Sequence, residues 1–360
     1  MAEPLKNLYN KPFFQNLGKT LKKEFPKFSE KAFLKAIFSD NWADKELKER
    51  MRHITLTLHE MIEMPFPQKM KKFKKVIQGK EGFEFMFFPD YVEVFGMDDL
   101  ATSLDALAAF TPISSSEFAI RPFIVKYEKQ TLAQLKKWAK SKDEHLRRLA
   151  SEGCRPRLPW AMGLPKFKKD PSLILPILES LKHDESEYVR RSVANNLNDI
   201  SKDHPGLVLK MAKAWLGNNK DTDRLVKHAC RTLLKAGNIP AMMLFGFADP
   251  KKIQIKNLQV EKKTVKVGDY LHFSFDVINT AKKPQVLRLE YQIDFQTKSG
   301  KISQKVFKIT ENTFGQEPTT IKRKQSFSDF TTRKHYPGEH ILRIIVNGVS
   351  KDKISFQVKK

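Results

Sequence analysis

Three nine-residue stretches, HLRRLASEG (His145–Gly153), YVRRSVANN (Tyr188–Asn196) and LVKHACRTL (Leu225–Leu233), superpose position by position. Leu146 and Val189 are 43 residues apart and Val189 and Val226 are 37 apart, with an aspartate upstream of each stretch. These offsets bracket the period of HEAT-type helix pairs, so the spacing predicts a right-handed α-solenoid. Each stretch repeats a basic doublet, Arg147-Arg148, Arg190-Arg191 and Lys227-His228. Recurrence at one repeat position predicts a single cationic face, on which Arg148, Arg190 and Arg191 meet phosphate.

The first stretch continues to Trp160 as DEHLRRLASEGCRPRLPW (Asp143–Trp160). Apolar Leu146, Leu149 and Ala150 fall at i, i+3, i+4, which leaves Arg147, Arg148, Ser151 and Glu152 off the expected buried stripe. Gly153 ends that pattern, Pro156 and Pro159 forbid a regular helix, and Arg155, Arg157 and Trp160 follow within a few residues. A carboxylate, several guanidiniums and an indole thus meet at one helix end, a set suited to an anionic backbone and a flat, cationic ring. The bland alternatives are an i, i+4 ion pair of small consequence at Arg148 and Glu152, and a Trp that only fills a gap between repeats.

Outward from this stretch the chain changes character near Asp249-Pro250. Helical periodicity precedes it, and the residues from Met1 to Gln78 interleave lysines with Phe13, Phe14, Phe25, Phe28, Phe33, Phe38 and Trp42, read as core. Short alternating runs follow it: YLHFSFDVI (Tyr270–Ile278), VLRLEYQIDF (Val286–Phe295), KISQKVFKI (Lys301–Ile309) and HILRIIV (His340–Val346), separated by turn signals. The expected architecture is mainly α: a helical-repeat domain over 1–249, then a smaller immunoglobulin-like β-sandwich over 250–360.

Across 360 residues, 66 Lys and Arg oppose 41 Asp and Glu, a net +25, which calls for an anionic partner, nucleic acid before membrane. The last 110 residues hold 23 of those cations against 10 acids, and Lys322-Arg323-Lys324 and Arg333-Lys334-His335 are candidate grips on a phosphate backbone. KMKKFKK (Lys69–Lys75) is either another grip or a solvated loop. Cys154 and Cys230 lack metal-ligand spacing and no histidine cluster stands out, so no metal is expected. No phosphate-cradling or dinucleotide-binding glycine motif occurs, and no cofactor is expected. Without a secretory or membrane-spanning segment, a cytoplasmic protein is expected, acting as a monomer and away from membranes.

SEGCRPRLPW, with SSSEFAIRPFI (Ser114–Ile124) before it, VRRSVANNLNDISKDHP (Val189–Pro205) after it and a sandwich appended, resembles the AlkC branch of the HEAT-like DNA alkylation-repair glycosylases. The resemblance spans essentially the whole chain. It implies a hydrolase, without a lyase step, that excises cationic bases such as 3-methyladenine and 3-methylcytosine from duplex DNA, bending the duplex in place of a deep extrusion pocket. It also implies that Glu117 and Glu152 are the site carboxylates, Asp199 a further acid, Trp160 the aromatic and Arg148 a neighbouring cation. On residues alone, Glu117 could instead close a capping box on Ser114, and Asp199 could simply bridge an arginine. Two other classes fit the charge: a non-catalytic helical scaffold on nucleic acid, and a solenoid that binds acidic proteins.

Overall fold

The computed structural model describes residues 4–39, 41–329 and 334–360. Arg333 of the second candidate grip lies outside the described residues. Among those residues, sixteen α-helices precede eight β-strands. The chain divides into two compact units: one holds the residues up to His204 together with Trp215–Ala229, the other Pro205–Ala214 together with Cys230–Lys360.

The superposed stretches fall on the helices Glu144–Glu152, Glu187–Ile200 and Lys220–Ala229, the third running past its helix end into Arg231–Lys235, and the middle helix packs on both others. Each of the first two also packs on the helix before it in its own pair, Glu128–Trp138 and Leu175–Leu181 respectively. Matched positions are buried in register: Leu149, Ser192 and Ala229 share one, and Ala150, Val193 and Cys230 the next.

In the first two basic doublets the members part company. Arg147 donates to the Ser141 and Lys142 carbonyls and pairs with Asp184 through Nε and Nη2 at 2.7 and 3.0 Å. Arg190 repeats this one unit on, donating to the Asp184 and Glu185 carbonyls and reaching Asp221 at 3.4 Å. Both therefore staple one helix start to the next repeat. The guanidinium of Arg190, expected on phosphate, is engaged in this staple. The second members differ: Arg191 is exposed, while Arg148 is turned into a cluster of acids.

In the N-terminal helices the aromatics interlock. Phe14 touches Phe33, Phe38 and Trp42 edge-on, and Phe73 touches Phe25, Phe88 and Tyr91. Phe14, Phe25, Phe28 and Phe33 are buried as expected, each such ring contributing about 1.5–3 kcal/mol. Phe38 stays part-exposed at the rim. Lys69, from the basic run read as grip or loop, is buried and donates to Tyr91 Oη at 2.8 Å.

The sandwich pairs β1 (Ile253–Val260), β3 (Tyr270–Asn279) and β6 (Thr319–Ser326) in one sheet, ordered β1-β3-β6. The other sheet contains β2 (Thr264–Lys266), β4 (Gln285–Gln296), β5 (Ile302–Phe314), β7 (Gly338–Val346) and β8 (Val349–Lys359), ordered β2-β8-β7-β4-β5. Inward residues Leu271, Phe273, Phe275, Leu289, Ile293, Leu342, Ile344 and Phe356 make its core. The β7–β8 turn is Asn347-Gly348, both at positive φ (47° and 79°), the geometry that asparagine and glycine favour in two-residue hairpins. Gly348 also abuts Gly237 so closely that a Cβ on it would stand 2.2 Å from the Gly237 Cα.

Strand alternation splits Lys322-Arg323-Lys324. In the β3–β6 register Phe273 opposes Arg323, whereas His272 opposes Lys324 and Ser274 opposes Lys322. The outer face of the three-stranded sheet thus carries Tyr270, His272, Lys322 and Lys324, with the Lys324 ammonium 4.5 Å from the Tyr270 ring centroid. On the outer face of the five-stranded sheet the acids are paired with arginines instead. Arg288 pairs there with Glu290 and Glu311, and Arg343 with Asp294.

Candidate active site

The helix Glu144–Glu152 starts at Asp143, whose carboxylate accepts from the His145 N–H at 2.8 Å, and ends on Glu152. Gly153 follows because a Cβ there would meet Ile120 Cγ2 at 2.6 Å, closer than a methyl carbon can sit. The chain then turns through Arg155 and Arg157 to Trp160 outside any helix.

Glu152 is 5% exposed. One of its oxygens meets Arg155 Nη1 at 2.6 Å and lies 3.7 Å from Arg148 Nη2, and the other accepts from Ser192 Oγ at 2.5 Å. Arg155 Nε continues to Asp199 at 2.9 Å, and the second Asp199 oxygen meets Lys202 at 3.2 Å. Glu117 pairs with Arg148, and Ser115 Oγ donates to the same carboxylate at 2.9 Å. Arg148 in turn lies 5.0 Å from the Tyr188 ring centroid. Burial works against the charge on Arg148, yet Glu117 and Glu152 outweigh it and hold its pKa above the usual arginine value. At Arg155 burial is outweighed in the same way by Glu152 and Asp199.

Three carboxylates from three different segments are therefore drawn onto two guanidiniums. Stranding a buried charge costs about 3–5 kcal/mol, and here each guanidinium keeps a second acid when one is lost. Glu117 does not close a capping box on Ser114, since the following helix has no side-chain cap and the carboxylate turns to Arg148. Asp199 does bridge an arginine. Glu152 and Asp199 lie deep, whereas Glu117 lines an open cavity of about 370 Å³ with Arg148, His145 and Tyr188.

The remaining sequence-selected residues lie around this cluster. Arg157 holds Asp203 through Nη2 at 2.6 and 2.7 Å. Trp160 is 62% exposed, which is not the setting of a core filler, and sits in the left-handed backbone region at φ 63°. Its carbonyl accepts from Lys48 Nζ at 2.8 Å. Arg191 borders a second, smaller cavity with Arg190, Arg224 and His228.

Sequence reasoning missed Ser192, Ser115, Tyr188, Lys48 and Arg121. Ser192 left a readable signal, because it is the polar residue at a repeat position held elsewhere by Leu149 and Ala229, and a buried hydroxyl needs a partner. Lys48 and Arg121 left none, since their partners are main-chain carbonyls far away in sequence. Cys154 is buried, and that burial pushes its thiol up to about 12, so it is no nucleophile. Among the described residues no helix is long and apolar enough to cross a membrane.

Comparison with known proteins agrees along the whole chain. Residues 114–233 match the family of the DNA alkylation repair enzyme, and residues 254–360 match the C-terminal Ig-like domain of the uncharacterised protein YhaZ. The uncharacterized protein YhaZ of Bacillus subtilis (strain 168) is 44% identical over 355 residues, which is 98% of this chain and 99% of that protein. The fold is similar to that of the Pseudomonas fluorescens alkylpurine DNA glycosylase AlkC bound to DNA containing an abasic site analog. That likeness has a TM-score of 0.92 and 38% identity, and covers 99% of this chain and 100% of the other. With the acid–arginine cluster, the helical repeats and the Ig-like sandwich all in place, the chain belongs to the AlkC-type DNA alkylation repair enzymes.

Proposed function

We propose that this protein is a DNA glycosylase that hydrolyses the N-glycosidic bond of cationic N-alkylated bases, 3-methyladenine and 3-methylcytosine, in duplex DNA, working as a monomer. The observation that carries this reading is the convergence of Glu117, Glu152 and Asp199 on Arg148 and Arg155, with an exposed indole on the same loop as Arg155.

An N3-alkylated base already bears a positive charge, so its departure needs no general acid. The chemical demands left are stabilisation of an oxocarbenium-like sugar and orientation of a water, and a fixed carboxylate serves both. Ser192 and Arg155 hold the Glu152 carboxylate in one orientation before any substrate arrives, and Ser115 does the same for Glu117. Desolvation around these groups lengthens the reach of their field. Trp160 adds cation–π attraction of about 0.5–2 kcal/mol for a charged base and little for a neutral one, which favours the lesion without a shape-matched pocket.

Arg191 on the helical repeats and Tyr270, His272, Lys322 and Lys324 on the sandwich are the duplex contacts in this reading, with Arg148 and Arg155 ordering the acids and Arg157 tied to Asp203. The deciding experiment is release of 3-methyladenine and 3-methylcytosine from alkylated duplex DNA by the purified protein. Duplex binding with no base release would leave a non-catalytic scaffold, and a salt slope of only one or two counterions would point to an acidic protein partner.

A further inference from the structure

Two cations hold the Trp160 loop by its backbone. Arg121, wholly buried in the helix Ile120–Lys126, donates from Nη1 to the Gly153 carbonyl at 2.9 Å and from Nε to the Met162 carbonyl at 2.7 Å. One guanidinium thus ties the start of the loop to its end. Its Nη2 has no hydrogen-bond partner among the described residues, and burial pulls its pKa down to about 10. A buried cation kept at that cost, with only main-chain carbonyls to bind, is explained by what it holds in place.

The second cation acts at the tip. Lys48, exposed on the helix Leu47–Met61, sends Nζ to the Trp160 carbonyl at 2.8 Å, 112 residues along the chain, and passes 5.3 Å from the Phe118 ring centroid. In a chain of net +25 an exposed lysine on this surface would ordinarily be read as a phosphate contact. Its target argues otherwise. Trp160 occupies a left-handed conformation that a bulky residue adopts only when its surroundings impose it, and the Lys48 bond is made at that residue.

We propose that Lys48 and Arg121 are positioning residues: Arg121 closes the base of the 153–162 loop, Lys48 pins its tip, and together they hold the Trp160 ring out in the one pose that meets a base. This rests on the assignment of Trp160 to the base. Lys48 acts through Trp160 and makes no separate contribution to duplex affinity.

The test uses the full-length protein with Lys48→Met, a change on an exposed side chain that leaves the core intact. Without DNA, amide exchange in the peptide spanning residues 153–164 should quicken about tenfold, with the rest of the helical unit unchanged. This readout stands whether or not the protein excises bases. On alkylated duplex, Lys48→Met should slow single-turnover excision about tenfold and have no further effect in a Trp160→Ala background, while the salt slope of duplex binding stays unchanged. A slope lower by about one unit, or an equal loss of excision in both backgrounds, would make Lys48 an independent DNA contact and overturn the proposal. Unchanged exchange would overturn it as well. Arg121→Lys, which keeps the charge but cannot span both carbonyls, should show the same loop exchange, and a melting curve separates that effect from global unfolding.

Discussion

Replacing Glu152 by glutamine keeps its shape and one hydrogen bond to Ser192 but removes the charge that a sugar cation would need. Single-turnover excision of 3-methyladenine should fall by about 10²-fold, or roughly 2.7 kcal/mol of barrier, while duplex affinity holds or rises slightly. Because Arg155 keeps Asp199 as a partner at 2.9 Å, the melting temperature should drop only modestly. Glu117→Gln is the companion. If both variants excise at the wild-type rate with unchanged melting, the acids serve only to hold Arg148 and Arg155. Trp160→Ala should slow excision of cationic bases more than of neutral ones, and an equal loss on both would remove cation–π attraction from the account. At this scale the sequence placed Glu152 beside arginine, since i, i+3 and i, i+4 spacing brings Arg148, Glu152 and Arg155 together on any helix end. It could not show that Arg155 reaches Asp199, 44 residues on, because that pairing depends on two helices being packed.

Helices and strands carry a different set of expectations. Arg147 and Arg190 staple successive repeats, so Arg190→Met should lower the melting temperature and leave the salt dependence of duplex binding unchanged. Arg191→Ala should do the reverse, flattening the salt slope by about one unit at unchanged stability. A matched loss of slope in both would restore the doublet as one phosphate-facing pair. In the N-terminal helices, burial pulls the Lys69 pKa down to about 8. Between pH 8 and 10.5 the unfolded chain therefore binds the Lys69 proton more than the folded one, and this residue's contribution to stability must rise with pH across that window. Lys69→Met should be more stable than wild type at pH 7, with the advantage shrinking as pH climbs to 10.5; a constant difference would show that the ammonium is not strained by burial. Sheet periodicity was legible in the same local way: alternation over β3, β4, β5 and β7 was read as strand, whereas in β6 only the basic run was read, and the consequence that Arg323 leaves Lys322 and Lys324 was not drawn. Asn347-Gly348 was an equally local hairpin signal.

For the molecule as a whole, the contrast between a basic, aromatic face on the three-stranded sheet and a face of arginine–acid pairs on the five-stranded one predicts where the sandwich meets DNA. Lys322→Glu with Lys324→Glu in the full-length protein should weaken duplex binding and flatten its salt dependence by about two units, without loss of melting temperature. Unchanged binding would remove this face from the interface. Point variants are the right instrument, because a cut after residue 249 falls inside the second compact unit, which also takes in Pro205–Ala214. The order of helices then strands, the repeat spacing and the Arg148–Glu152–Arg155 grouping were determined by sequence alone, since each follows from spacing of 2, 3.6 or about 40 residues, distances that the chain itself measures. Only the tertiary structure decided that Arg190 is a staple and Arg191 is exposed, that Ser192 completes the Glu152 site, and that Lys48 and Arg121 grip a distant loop. Those are choices between side-chain directions and main-chain partners far apart in sequence, and packing alone brings such partners within the 3 Å at which a hydrogen bond forms.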